Sequence, residues 1–83
     1  MSTKFNNAEV WSQPNCSACV QAKNLLVQYG IKYDEKLMGA PGSAYTKSDL
    51  FERVPHARSV PQIFVDGTYV GGLTELKQLL LSK

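Results

Sequence analysis

The spacing of apolar positions changes repeatedly along this chain, and each change marks an element. Phe5, Val10 and Trp11 are the apolar members of a first strand, Phe5 to Trp11, closed by Gln13-Pro14-Asn15 because proline cannot continue a ladder. From Cys16 or Ser17 to about Tyr29 the spacing is helical. Val20, Lys23, Val27 and Leu26, Tyr29 stand a turn apart, and Ala22, Leu25 and Leu26 supply the apolar face. Gly30 suits the position after a helix end, where positive φ is needed. Ile31, Tyr33 and Glu35 then alternate with Lys32, Asp34 and Lys36, the period of a second strand.

Met38 to Ala44 holds two glycines and a proline and reads as a loop. Thr46 with Asp49 three residues on resembles a capping box and opens a second helix. Leu50, Phe51 and Val54 form its apolar side, and Pro55 ends it. Pro61 to Val65 is an unbroken apolar strand, Asp66-Gly67 is a two-residue hairpin signal, and Thr68-Tyr69-Val70 is the return strand. Gly71-Gly72 breaks it. Leu73, Leu76, Leu79 and Leu80 mark a last amphipathic helix. The order is βαβαββα. Strand–helix–strand calls for a parallel pair with a right-handed crossover, and the hairpin adds an antiparallel pair. The expectation is an α/β fold in one domain, 1–83, with a four-stranded mixed sheet flanked by three helices.

Composition narrows the function more than the fold. The chain has 83 residues, 43% apolar and 19% charged, with a net charge of +2. That charge is small and no Lys/Arg stripe accompanies it, so no nucleic-acid partner is expected. No apolar stretch approaches a membrane span, so no membrane partner is expected either. Met-Ser-Thr-Lys-Phe-Asn-Asn lacks the apolar core of a signal peptide, and the expected location is the cytoplasm. In that compartment a lone close cysteine pair is catalytic or metal-binding rather than a structural staple.

Cys16 and Cys19 are the only cysteines, and they stand where a strand gives way to a helix. The first N–H groups of a helix have no internal partner and its dipole is positive there. Both effects lower a thiol pKa below about 8.5, so Cys16 is the expected nucleophile. Cys19, one turn further in and on the same face, suits the resolving role. The chemistry this predicts is thiol–disulfide exchange through a mixed disulfide. A zinc site would need four ligands; two cysteines and His56 do not supply them, and no metal is expected. Lys23 either adds field strength at Cys16 or is a solvated surface charge, the second being favoured. His56 is read as a surface residue. Trp11, Tyr29, Tyr33, Tyr45 and Tyr69 are read as core or groove wall.

Two segments resemble the glutaredoxin family. One is Trp-Ser-Gln-Pro-Asn-Cys-Ser-Ala-Cys-Val-Gln-Ala-Lys, from Trp11 to Lys23. The other runs from Ala57 to Leu76 and contains Val-Pro-Gln-Ile-Phe-Val-Asp-Gly and Gly-Gly-Leu-Thr. The resemblance covers nearly the whole chain in order. It implies a thioredoxin-like fold, a cis bond before Pro61 and glutathione as reductant and cosubstrate. Ser59, Val60 and Pro61 would then face the sulfur pair, the Val60 backbone clamping glutathione like an added strand. Gly72, Leu73 and Thr74 would hold the γ-glutamyl carboxylate on open helix N–H groups, Thr74 serving also or instead as a helix cap. The implied partners are glutathione and disulfide-containing proteins, with ribonucleotide reductase a common client of small members. A monomer is expected.

The chain departs from the family at three places. Ser17-Ala18 replaces the frequent Pro-Tyr between the cysteines, which frees an N–H beside Cys16 and removes a ring beside glutathione. Gln13 stands where a lysine is common, leaving a neutral contact to a carboxylate in place of a charge-assisted one. Thr74 stands where an aspartate is frequent, removing a salt link to the glutathione amine. Two alternatives to glutathione-dependent reduction follow. Ser17 permits a carrier for a [2Fe–2S] cluster bridging two chains. The weakened glutathione contacts permit a thioredoxin-type reductant.

Overall fold

The computed structural model describes residues 5–81. Its elements follow the predicted order: β1 (Asn7–Ser12), α1 (Ser17–Gln28), β2 (Lys32–Leu37), α2 (Lys47–Arg53), β3 (Gln62–Val65), β4 (Thr68–Gly71) and α3 (Leu73–Leu81). The sheet order is β2-β1-β3-β4. β1 pairs with β2 in parallel and with β3 antiparallel, and β3 pairs antiparallel with β4. This is the thioredoxin-like arrangement that the pattern and the resemblance implied.

Side chains on successive strand residues point to opposite faces, and the two central strands use this to build two cores. Ala8 and Val10 of β1 and Ile63 and Val65 of β3 meet Ala22 and Leu26 of α1, Leu76 and Leu80 of α3, and Ile31. Trp11 and Phe64 point the other way, to Met38, Leu50 and Val54. The apolar run of β3 is buried at every position because both its faces are covered.

The chain's own signals close the elements. Tyr29 is the C-cap of α1. Beyond it the Gly30 N–H bonds the Val27 carbonyl and the Ile31 N–H reaches back to that of Leu26 at 2.9 Å. This Schellman pattern requires the positive φ that Gly30 has, 71°. The Thr46–Asp49 capping box opens α2 as expected, with both reciprocal bonds present. Asp66 (φ 50°) and Gly67 (φ 83°) form the hairpin turn, and the Asp66 carboxylate accepts the Asn7 N–H at 2.9 Å, tying down the start of β1.

In α1 the expected face is the covered one: Ala22 and Leu26 are buried with Cys19, Leu25 packs against the same core, and Val20 and Val27 lie outside that stripe, 51% and 63% exposed. Two other faces differ from the expectation. In β2 no strand residue is buried. The strand is the outer edge of the sheet, so its alternation has no core to face, and the covered residues are those flanking it, Ile31 before and Met38 after. Phe51 of α2 is exposed. A helix of seven residues presents little more than one narrow stripe, and Leu50 and Val54 occupy it.

Candidate active site

Cys16 owes its position to the turn before it. Asn15 has φ 60°, a left-handed conformation that asparagine tolerates better than most residues. The turn delivers Cys16 in extended conformation as the N-cap of α1. The Cys16 Sγ accepts the Cys19 backbone N–H at 3.1 Å, the bond a serine or aspartate oxygen would make at this position. No acidic side chain lies in the first turn of α1 to oppose negative charge there. Cys16 and Cys19 are joined as a disulfide with Cα atoms 5.3 Å apart. Cys16 is half-buried and Cys19 is 1% exposed. An incoming disulfide therefore reaches the first sulfur before the second.

The Val60–Pro61 peptide is cis, as the resemblance implied. The Val60 carbonyl oxygen lies 3.9 Å from the Cys16 Sγ, so two segments far apart in sequence meet at the sulfur. The start of α3 closes on the same loop: a Cβ added to Gly72 would stand 3.5 Å from the Pro61 carbonyl oxygen. Cys16, Cys19, Val60, Pro61 and Gly72 are thus assembled. Gln13 is exposed on the turn preceding Cys16, Ser59 is exposed beside Val60, Thr74 is exposed on the first turn of α3, and Leu73 is half-buried.

The cap of α3 differs from the expectation. The Gly72 carbonyl accepts the Leu76 N–H, which makes Gly72 the N-cap. Its own N–H donates to Glu75 Oε1 at 2.9 Å. Glu75, not Thr74, fills this end of the helix, because only a residue on the third helical position has the reach. Beyond Gly72, the N–H groups of Leu73, Thr74 and Glu75 precede the first intrahelical bond and have no acceptor within the helix.

β1, α1 and β2 are joined by a polar bridge that the sequence did not reveal. Buried Ser12 donates to Glu35 Oε2 at 2.6 Å, and Lys23 Nζ donates to the same oxygen at 2.8 Å. The Lys23 ammonium and the Ser12 hydroxyl hold the Glu35 carboxyl below the usual glutamate value, against its partial burial. Lys23 is therefore neither a field source aimed at Cys16 nor a solvated charge: its side chain is 22% exposed and engaged by β2. On the other side, Gln62 Nε2 donates to the Ser59 carbonyl and the Tyr69 hydroxyl donates to Gln62 Oε1. His56 is exposed, as expected, with its ring edge-on to Tyr69.

Sequence reasoning missed Asn15, Gln62 and Glu75 as shapers of this site. A glutamate three residues past Gly72 was a legible capping signal. Gln62 left only the trace of one amide inside an apolar run.

Comparison with known proteins agrees with this geometry. A family model described as Glutaredoxin matches residues 8–70. Glutaredoxin 3 of Escherichia coli K12 is 32% identical over 73 residues, covering 88% of this chain and 84% of its own. Glutaredoxin-2, mitochondrial, of Bos taurus is 36% identical over 76 residues, 89% of this chain; the chain spans about half of that protein's length, 47%. Among solved structures, Glutaredoxin 1 from Francisella tularensis, complexed with cacodylate, superposes with a TM-score of 0.70 at 27% identity, covering 86% of this chain and 87% of that one.

Proposed function

The chain belongs to the glutaredoxin family, and from that premise we propose that it reduces protein disulfides and glutathione mixed disulfides with glutathione as the electron donor. The observation that carries this reading is the half-buried Cys16 sulfur. It caps α1, accepts the Cys19 N–H and lies beside the Val60 carbonyl. Once the disulfide is reduced, the same N–H and the helix dipole favour the Cys16 thiolate over its thiol.

The thiolate attacks the glutathione sulfur of a mixed disulfide. A Cys16–glutathione bond forms, the original S–S bond breaks, and the protein sulfur leaves as a thiolate that takes up a proton. A second glutathione thiolate then attacks the glutathionyl sulfur, releasing glutathione disulfide and regenerating Cys16. On a protein disulfide, Cys19 takes that second role. Cys16 and Cys19 are oxidised to their disulfide, the substrate gains two thiols, and two glutathiones restore the pair. The Val60 backbone pairs with the extended glutathione peptide as an added strand would. Leu73 and Thr74 N–H groups receive its γ-glutamyl carboxylate at the positive end of α3. Gln13 and Ser59 contribute neutral hydrogen bonds at the edge of this site. The proposed setting is a reducing one such as the cytoplasm, with protein disulfides, ribonucleotide reductase among them, as clients of a monomer.

The test is turnover of a glutathionylated peptide with and without glutathione, together with the mass of the trapped intermediate. Cys16→Ser should abolish turnover. Cys19→Ser should keep the glutathione-only route and accumulate a +glutathione adduct on Cys16. Turnover driven by thioredoxin reductase in the absence of glutathione would replace this reading with a thioredoxin-type one.

A further inference from the structure

Gln62 follows the cis Val60–Pro61 bond and opens β3. It breaks a buried apolar run with an amide that is 6% exposed. Both ends of that amide are used. Nε2 donates to the Ser59 carbonyl at 2.7 Å, and Oε1 accepts the Tyr69 hydroxyl at 2.6 Å. Tyr69 is set in turn by ring contacts with Phe64 at 5.3 Å and His56 at 5.9 Å. Register explains the meeting: Phe64 and Tyr69 are cross-strand partners, and Gln62, two residues before Phe64, shares its face.

An apolar side chain would bring no polar group of its own into this buried position, but it would release the Ser59 carbonyl and the Tyr69 hydroxyl. What the amide adds is direction. The Ser59 carbonyl and the Val60 N–H belong to one planar peptide unit, and in a trans unit they point opposite ways. Anchoring the oxygen inward on Gln62 therefore turns the Val60 N–H away from β3. On its other side, Val60 carries the carbonyl that lies by Cys16.

We propose that Gln62, oriented by Tyr69, is a positioning residue for substrate: it holds the Ser59 carbonyl and so aims the Val60 N–H at the backbone of the peptide bound across Cys16. The inference rests on the proposed glutathione-dependent activity and adds the group that orients its clamp. Gln62 touches neither sulfur, so its loss should weaken peptide binding and leave thiol ionisation alone.

The experiment measures KM and kcat for a glutathionylated peptide, and the pH profile of Cys16 alkylation, in wild type, Gln62→Leu, Gln62→Glu and Tyr69→Phe. One lost directional hydrogen bond predicts a KM raised about tenfold in Gln62→Leu, with kcat within about twofold and the alkylation profile unmoved. Tyr69→Phe keeps the Gln62–Ser59 bond and should raise KM only about two- to threefold. An ionised glutamate still accepts from Tyr69 but cannot donate to Ser59. The Gln62→Glu KM, taken relative to wild type at each pH, should therefore climb as its carboxyl ionises. If Gln62→Leu does not fold, the other two variants carry the test. Equal KM in all folded variants overturns the proposal, as does a fall in kcat with a displaced alkylation profile. Wild type that turns over while the variants match it sinks this inference alone. Wild type that fails to turn over with glutathione sinks the parent reading.

Discussion

On the α1/α3 side of the sheet the buried residues are all aliphatic, from Ala8 and Val10 through Leu26 to Leu76 and Leu80, with Phe5 and Tyr29 among the partly buried side chains at the margin. On the α2 side it is built from Trp11, Met38, Leu50, Val54 and Phe64, with Tyr45, Ala57 and Val60 packed against it. The first side is closed by helices of twelve and nine residues, the second by one of seven. The α2 side compensates with polar and ring contacts. The Arg53 guanidinium lies 4.1 Å from the Phe64 ring centre and pairs with Glu9 at 3.1 Å. Trp11 donates to Glu9 and meets Tyr45 edge-on. Lys36 lies over the Tyr45 ring.

The contrast separates two tasks. The aliphatic side anchors α1 and hence the sulfurs. The aromatic side carries the segment leading into the cis-proline loop, since Ala57 and Val60 pack there. Disturbing the first should cost global stability. Disturbing the second should loosen the loop and α2 while the sheet stays folded.

The largest effect that would break this division is a cavity on the aliphatic side. Leu26→Ala, at a fully buried position, should lose about 2–5 kcal/mol in denaturant unfolding. A loss below about 1 kcal/mol would show that α1 can collapse onto the sheet without it. Thr46→Ala removes one half of the capping box of α2 and should cost about 1 kcal/mol. It should also speed amide exchange in α2 while leaving α1 unchanged. A uniform change in both helices would make the two sides one cooperative unit.

Arg53→Ala tests the compensation on the aromatic side. Its pair with Glu9 and its stacking on Phe64 are partly exposed, so the expected cost is roughly 0.5–1 kcal/mol, measured by thermal melting in low salt. The smallest effect concerns acid. The folded Glu35 carboxyl titrates below its ordinary 4.5, so the unfolded chain binds a proton there first as pH falls. Its stabilising contribution is full above that value and is lost as pH drops through the folded one. The melting temperature of Glu35→Gln should therefore change less between pH 5 and pH 3 than that of wild type, an order-of-magnitude window set by the carboxylate range. Equal slopes would place the acid sensitivity outside this carboxylate.

What the sequence determined by itself are features spanning a few residues. Hydrophobic period set the order βαβαββα. Asp66-Gly67 dictated the hairpin, Thr46 and Asp49 the cap of α2, Gly30 the end of α1, and the strand-to-helix change the place of Cys16. Each depends on backbone geometry within about one turn, where neighbouring residues are the whole environment. Tertiary structure alone decided that Lys23 is engaged by Glu35 and that Gln62 is shared between Ser59 and Tyr69. It also brought Val60 to Cys16 across 44 residues of chain. Those outcomes follow from how twisted strands and helices pack, and a side chain's partner at that separation is fixed by the register of the sheet, which no local pattern encodes.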